Sequence, residues 1–435
     1  MEISYKNYAD WRGRGMVIYL DQQPDRATLT IKCNGQRVEV RGHPAVGTYY
    51  EGSRLDRIIN SIPRKTNLSA LFAGESRHIS GKWATPIVDA LEKEDEIQRR
   101  FMSSKLKIKE EPKKQPFKTV DVTPVFEDSV SIRAITFLDS QTLAFAGSNG
   151  MYGTVDVNSL KVMSNVQEFD SIIPHFRAVG HTSNDFFMLS VESPALLYKT
   201  GENGQMELVY TEEGEGVFYD SLTFWNDTEG IAVGDTVNGC FSIIITRDGG
   251  NSWTKIPCSD LPEGIEGEGA FAASNSNIVV KGDKVWVGTT EGRIYFSSDK
   301  GMTWEIQETP IISEEPTQGI YSMDFFDENL GFAIGGDYTQ PESKKANKIK
   351  TVDGGKTWQL VADGQEPGYK SCVQFVPNTN GEAMVAAGFN GISYSSDGGQ
   401  SWKELSEEPF YTFRFLNDST AFAAGSKRIA KLDFK

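Results

Sequence analysis

The sequence predicts an all-β fold: a seven-bladed β-propeller over residues 117–435, preceded by a small α+β domain. Two interleaved repeats and the way the chain begins and ends them carry this expectation. The first repeat is a turn, [ST]-x-D-x-G-x-[ST]-W, written as TRDGGNSW (246–253), SSDKGMTW (297–304), TVDGGKTW (351–358) and SSDGGQSW (395–402). The second is an apolar strand, a turn and another strand closing on a small residue, as in SIRAITFLDSQTLAFAG (131–147), SLTFWNDTEGIAVG (221–234), YSMDFFDENLGFAIG (321–335), SCVQFVPNTNGEAMVAAG (371–388) and YTFRFLNDSTAFAAG (411–425). Weaker copies at 175–190 and 269–288 bring the count to seven, with a period of about 45 residues and four short strands per period, the arithmetic of a propeller blade. The last copy ends at IAKLDF without a fourth strand, while KTVDVTPVF (118–126) stands unpartnered before the first. That strand is expected to complete the last blade and close the ring, leaving no open edge.

Residues 1–102 share none of these motifs. RATLTIKCNGQRVEVRG (26–42) reads as a hairpin, because alternating runs flank Asn34-Gly35, a pair that accepts the positive φ of a type I′ turn. Residues 53–62 and 84–101 read as helices, the second with Thr85 as N-cap and Pro86 at N1. Residues 103–116, SSKLKIKEEPKKQP, are charged and nearly free of large apolar side chains, as in a solvated linker.

In the turn motif the aspartate carboxylate sits where it accepts N–H bonds from the residues just ahead. Gly250, Gly301, Gly355 and Gly399 hold the position that needs a positive φ, and the tryptophan is placed for the seam between blades, where its burial is worth roughly 1.5–3 kcal/mol. Half of the eight Trp residues occupy this position. A catalytic residue is needed once per site rather than four times at one period. Asp248, Asp299, Asp353 and Asp397, with Trp253, Trp304, Trp358 and Trp402, are therefore read as structural.

The net charge of -16 divides unevenly. Residues 1–116 carry 21 Lys+Arg and 15 Asp+Glu (+6), leaving 23 against 45 (-22) for the rest, which excludes nucleic acid or an anionic membrane as the main partner of the larger part. No apolar run approaches the roughly 18 residues of a membrane span, and Met16 to Leu20 is shorter than the roughly 7–15-residue core of a secretory signal. No export signal is expected.

The turn motif resembles the Asp-box, or bacterial neuraminidase repeat. EDSVSIRAI (127–135), HFRAV (175–179), ALLYKTG (195–201), SIIITRDGGNSWTKIPC (242–258), GAFAASN (269–275), GFAIGGDYTQPE (331–342), GYKSCVQFVP (368–377) and GISYSSDGG (391–399) extend that resemblance to Asp-box propellers related to photosystem II stability and assembly factors. The resemblance extends in particular to a Bacteroidetes lineage often labelled oxidoreductase, and it covers about three quarters of the chain. It implies an exported, partner-binding propeller. An oxidoreductase finds no support, because there is no GxGxxG after a strand and no CxxC or haem motif. No cofactor is expected.

Candidate binding residues lie where inner strands meet the central channel. Arg133 in SIRAI, Arg177 in HFRAV and Arg414 in the last unit form a candidate clamp for a carboxylate or an acidic protein segment. Opposite them Asp220 and Glu268 are the alternative, a carboxylate pair for general acid and base work on a glycosidic bond, with Tyr219, Trp225 and Tyr321 as residues to stack on sugar. Cys240 and Cys258 stand nine residues either side of Gly249 and read as a cross-strand disulfide or as two reduced thiols; Cys33 and Cys372 read as core. His43, His78, His175 and His181 lack paired spacing, so no metal site is expected. The favoured reading is a monomeric, non-catalytic propeller that binds a protein partner in the cell envelope, and the alternative is a glycan-binding or glycan-hydrolysing one.

Overall fold

The computed structural model describes residues 2–5, 16–22, 27–33, 36–42, 116–201 and 204–435. The chain divides into two compact units, Met1–Lys113 and Lys114–Lys435. In the first, β1 (Glu2–Tyr5), β2 (Met16–Gln22), β3 (Ala27–Cys33) and β4 (Gln36–Gly42) pair antiparallel in chain order. Cys33 and Gln36 are the last pair of the β3–β4 ladder, and the turn expected at Asn34-Gly35 lies outside the described residues. The helices expected at 53–62 and 84–101 lie outside the described residues.

The second unit is an all-β propeller of six sheets, not seven. Five are four-stranded meanders: β9 (Phe176–His181) to β12 (Met206–Glu212), β13 (Tyr219–Phe224) to β16 (Thr254–Lys255), β17 (Ile278–Lys281) to β20 (Glu305–Gln307), β21 (Ile320–Phe325) to β24 (Gln359–Leu360), and β25 (Cys372–Phe375) to β28 (Lys403–Ser406). The sixth has six strands, in the order β29 (Thr412–Phe415), β30 (Thr420–Phe434), β5 (Val120–Phe137), β6 (Thr142–Gly147), β7 (Met151–Asp156), β8 (Val162–Val166). The repeat count treated the first and last units as separate blades. They share one sheet because β5 runs for 18 residues and β30 for 15 as continuous strands, through Pro124 in the one and the positive φ of Lys427 (63°) in the other. One stretch of β5 pairs with β30, from Val120↔Phe434 to Ser131↔Ser426, and the next pairs with β6 from Ile132 onward. Pro124, which has no N–H to donate, sits beside a register shift at Ile429/Ala430. Phe117 stacks on Phe434 and packs at a tilt on Tyr394, at 5.0 Å each, and Lys435 and Thr119 exchange backbone bonds, so the two ends of the second unit are tied together.

Apolar side chains fill the spaces between neighbouring sheets, and the motif tryptophans are among them. Trp253 meets Phe187 of the preceding sheet and Phe224 edge-on, Trp358 meets Phe325, and Trp402 packs against Phe332. Each turn is held by its aspartate in the same way. In the third copy, Thr351 Oγ1 donates to Asp353 Oδ1 (2.8 Å), Thr357 N donates to the same oxygen (2.9 Å) and Thr357 Oγ1 to Oδ2 (2.7 Å), while Gly355 N donates to Thr351 Oγ1. The other three repeat this pattern around Asp248, Asp299 and Asp397. The turn needs two consecutive positive φ values rather than the one expected, as at Gly249 (73°) and Gly250 (80°). A Cβ at Gly250 would also come within 2.2 Å of the Phe187 ring, so backbone conformation and the seam both exclude a side chain there.

These donors hold the Asp353 carboxyl below its usual range. Asp353→Ala is expected to lower stability by about 1–2 kcal/mol above pH 4, measured by urea unfolding, with the difference from wild type fading as pH falls through the lowered carboxyl pKa.

Candidate ligand face and the plugged channel

Four of the candidate residues reach one end of the ring by the same backbone device. Arg133, Arg177, Asp220 and Tyr321 are each the extra, unpaired residue of a β-bulge at the start of an inner strand, between Ile132 and Ala134, Phe176 and Ala178, Tyr219 and Ser221, and Ile320 and Ser322. A bulge re-aims the side chain it carries, which sets these residues at one height around the channel.

Arg414 is not among them. It pairs in regular register with Phe422, three residues beyond Tyr411, and Tyr411, just before that strand, is the residue that meets the two arginines. The Arg133 guanidinium lies over the Tyr411 ring at 4.0 Å. Burial, with the like charge of Arg133 added, pulls the Arg177 guanidinium below its ordinary pKa, and the charges of Asp220 and Glu192 oppose the shift. Neither Arg133 nor Arg177 forms an ion pair among the described residues, and Arg133 Nε has no hydrogen-bond partner. Beside them Tyr321 stacks on Phe271 at 3.7 Å and meets Tyr369 edge-on at 4.8 Å, and Tyr369 packs on Phe389 at 5.2 Å. Phe389 and Tyr338 expose 38% and 49% of their surface, which gives the face an apolar rim.

The channel behind this face is closed. Residues 271–277, FAASNSN, were expected to begin an inner strand, but β17 begins only at Ile278, and the segment before it fills the space between the inner strands. Asn275 donates to Val179 O (2.8 Å) and Leu222 O (3.3 Å) and accepts from Leu222 N (2.9 Å). Ser274 Oγ donates to Ser371 O (2.6 Å), and Met323 N donates to Ser276 O (2.7 Å). Arg414 Nη2 donates to the carbonyls of Ser274 and Asn275, both at 3.1 Å, and Thr412 Oγ1 donates to Ser274 O (3.0 Å). Arg414 therefore holds the plug instead of joining the clamp. Small and hydroxyl side chains suit a segment that must pack against several strands at once, and their bonding is long-range, so local sequence gave no sign of it.

The structure also removes both carboxylates from any ligand. Asp220 is fully buried, with neither oxygen in hydrogen-bonding geometry with a partner. Burial and the neighbouring Asp235 carboxylate raise its pKa well above the usual range, and burial pushes Asp235 up to about 6. Glu268 is 1% exposed and fully engaged: Arg293 donates through Nη2 and Nε, Thr289 Oγ1 at 2.8 Å, Tyr295 OH at 3.2 Å and Ile265 N at 3.2 Å. The tyrosines expected to stack on sugar are buried too. Tyr219 is inaccessible and donates its hydroxyl to Glu212 (2.7 Å), and Tyr321 lies beneath Phe271 with its hydroxyl on Thr317 O (2.7 Å). Trp225 is half-buried, 5.7 Å from Arg247, with its Nε1 on Lys284 O.

Cys240 and Cys258 are joined by a disulfide with Cα atoms 5.5 Å apart, and Cys372 is free and buried. Among the described residues no group of three or more His, Cys, Asp or Glu is placed to hold a metal ion, and no helix is long and apolar enough to cross a membrane.

Two lysines support the aromatic side of the face. Lys348 is buried and donates to Asn347 Oδ1 (2.6 Å) and to the carbonyls of Gln365 and Pro367 (2.9 Å each); Lys370 is 3% exposed and donates to Asn390 Oδ1, Asn390 O and Gly391 O. All their acceptors are neutral, so burial pulls each pKa from 10.5 down to about 8. Between those values the unfolded chain binds more protons than the folded one, so stability rises with pH, by up to about 1.4 kcal/mol per pH unit for each lysine. Urea midpoints measured from pH 7.5 to 9.5 are expected to increase, and Lys348→Met to flatten the increase.

No protein-family model and no curated protein sequence matches the chain. Solved structures do. The one titled YCF48 bound to D1 peptide superposes with a TM-score of 0.53 at 14% identity, over 73% of this chain and 97% of that one. YCF48 from Cyanidioschyzon merolae gives 0.53 at 12% identity, over 72% and 98%. U3-55K gives 0.51 at 12% identity, over 73% and 99%. At these identities the likeness establishes the propeller fold and nothing finer.

Proposed function

We propose that this propeller is a non-catalytic binding module whose Arg133–Arg177 face takes an extended, carboxylate-bearing segment of a protein partner. The observation that carries the reading is the pair of guanidinium groups, partly desolvated, without an ion pair and set beside an aromatic cluster at the mouth of a closed channel. Such a pair gains most when a carboxylate arrives, because charge-assisted and bidentate bonds are the strong ones. Exposed Tyr338 and Phe389 supply the apolar contact that a peptide side chain needs. One structural neighbour is a propeller holding a peptide, which agrees with this use of the fold.

In the same reading the four aspartate turns are Asp-boxes of the neuraminidase-repeat kind, and their role is architectural. The Cys240–Cys258 bond suits an oxidising compartment, as in the cell envelope. A hydrolytic role is disfavoured because Asp220 and Glu268 are both buried, the second neutralised by Arg293.

The test is affinity capture from envelope extracts with mass spectrometry, comparing wild type with Arg133→Ala/Arg177→Ala. A partner held by wild type and lost by the variant is the expected result. Equal capture by both proteins contradicts the site, and release of reducing sugar from a polysaccharide panel contradicts the non-catalytic reading.

A further inference from the structure

The other mouth of the ring carries a second polar concavity. Thr136, three residues after Arg133 on β5, lies about 10 Å further along the strand at 3.3 Å per residue. At that level Thr136, Thr223, Lys281, Asp324, Gln374 and Arg414 face a pocket of about 270 Å³, roofed by Asn275 and Ser276 of the plug. Lys281 and Gln374 bring unspent donors to the pocket. Lys281 is half-buried and makes no hydrogen bond or ion pair among the described residues. Arg414 bonds only neutral acceptors: Thr412 Oγ1, Cys372 Sγ and the carbonyls of Phe413, Ser274 and Asn275. Gln374 gives its carbonyl oxygen to Phe415 N (3.2 Å), which leaves its amide NH2 free to donate. His181 Nδ1 is engaged with Thr136 Oγ1 at 3.0 Å, and burial holds the ring pKa down, so the imidazole is neutral at pH 7.

The one carboxylate, Asp324, is already occupied. Its Oδ1 accepts from Phe325 N (2.8 Å) and its Oδ2 from Phe375 N (2.7 Å). Two cations, neither in an ion pair and both acting on the buried Asp324 carboxyl only through their charge, thus converge on a concave site in a part of the chain whose net charge is -22, from 23 Lys+Arg against 45 Asp+Glu in residues 117–435. Low-dielectric walls strengthen the field of charges gathered in such a cleft. Its size excludes a folded partner and suits a compact anion.

We propose that this pocket binds a small oxyanion, either phosphate or a short carboxylic acid. Lys281 supplies the unpaired charge, Arg414 fixes the positive wall, and Gln374 and Thr223 act as neutral donors. The site is independent of the Arg133–Arg177 face. It also couples a ligand to the plug, because Arg414 bonds the plug backbone and faces the pocket at once.

The test is isothermal titration of the full chain with sodium phosphate and, separately, sodium succinate at constant ionic strength. Wild type, Lys281→Met, Lys281→Arg and Arg133→Ala are compared, with circular dichroism confirming the fold of each. Saturable binding of at least one anion is expected, weakened about tenfold or more by Lys281→Met, retained by Lys281→Arg and unchanged by Arg133→Ala. Preference for one anion tells phosphate from carboxylate as the natural class. Absence of binding by wild type at about 10 mM of either anion, an affinity weaker than roughly -3 kcal/mol, overturns the proposal, as does equal binding by Lys281→Met.

Discussion

A chain carrying Arg133→Ala and Arg177→Ala together is expected to lose about 10- to 100-fold in affinity for an acidic peptide partner while unfolding at an unchanged or slightly higher urea concentration. The two halves of this expectation share one cause. Arg177 is buried without an ion pair, and the nearby charges of Asp220 and Glu192 oppose only part of the burial and Arg133 effects that lower its pKa, so the free protein disfavours the charge there. Removing such a group takes away a cost of the unliganded fold, whereas the complex loses the bonds that offset that cost. Residues placed for binding commonly trade stability for function in this direction. Because the attraction is electrostatic at a half-open site, wild-type affinity should also fall as salt rises, and the variant's residual affinity should depend on salt much less.

The largest effect on stability is expected at Arg293. Arg293→Met leaves the Glu268 carboxylate buried with only Thr289, Tyr295 and the Ile265 amide as donors. Breaking a buried pair by removing one partner costs about 3–5 kcal/mol, against about 0–1 kcal/mol for a surface pair such as Lys345–Glu314. Urea unfolding measures the loss directly. Glu268→Gln added to Arg293→Met should recover part of it, since no uncompensated charge then remains. Glu268 stands immediately before the plug, so hydrogen exchange at residues 270–277 should accelerate in Arg293→Met and recover in the double variant.

The elements that could be read in the sequence are those whose bonds close within a few residues. Each aspartate turn is complete between its first hydroxyl residue and its tryptophan, so TRDGGNSW alone fixes the geometry seen around Asp248. Arg133 and Arg177 could be matched because each follows the first residue that pairs with the next strand of its sheet, Ile132 or Phe176, and both occupy the same bulge. The same likeness misplaced Arg414. Its Phe-Arg pair imitates that of Phe176 and Arg177, but Tyr411, before the strand, meets the clamp, and the strand register puts Arg414 on the plug.

What could not be read depended on distance along the chain or on continuity. The blade count went wrong because a repeat of about 45 residues marks each unit as separate, whereas β5 and β30 run through what would be the boundary and join two units in one sheet. The plug went unseen because its partners, Val179, Leu222, Ser371 and Thr412, lie 53 to 138 residues from the plug residues they bond. Tyr321 looked available in sequence because alternation gives no warning that Phe271 will stack on it at 3.7 Å. The aromatic half of the face, Phe271, Tyr369 and Phe389, was missed for the same reason: each belongs to a different connection, and only the ring brings them together.

The central claim is that partners dock on the Arg133–Arg177 end of the ring, and site-specific photocrosslinking tests it most directly. A photoreactive phenylalanine analogue is placed at Tyr338, on the exposed rim of that face, and in a second protein at Met302, which is exposed within an aspartate turn. A partner covalently captured from position 338, and lost when Arg133 and Arg177 are replaced, is the predicted result. Capture of the same partner from position 302 with none from 338 would contradict the account.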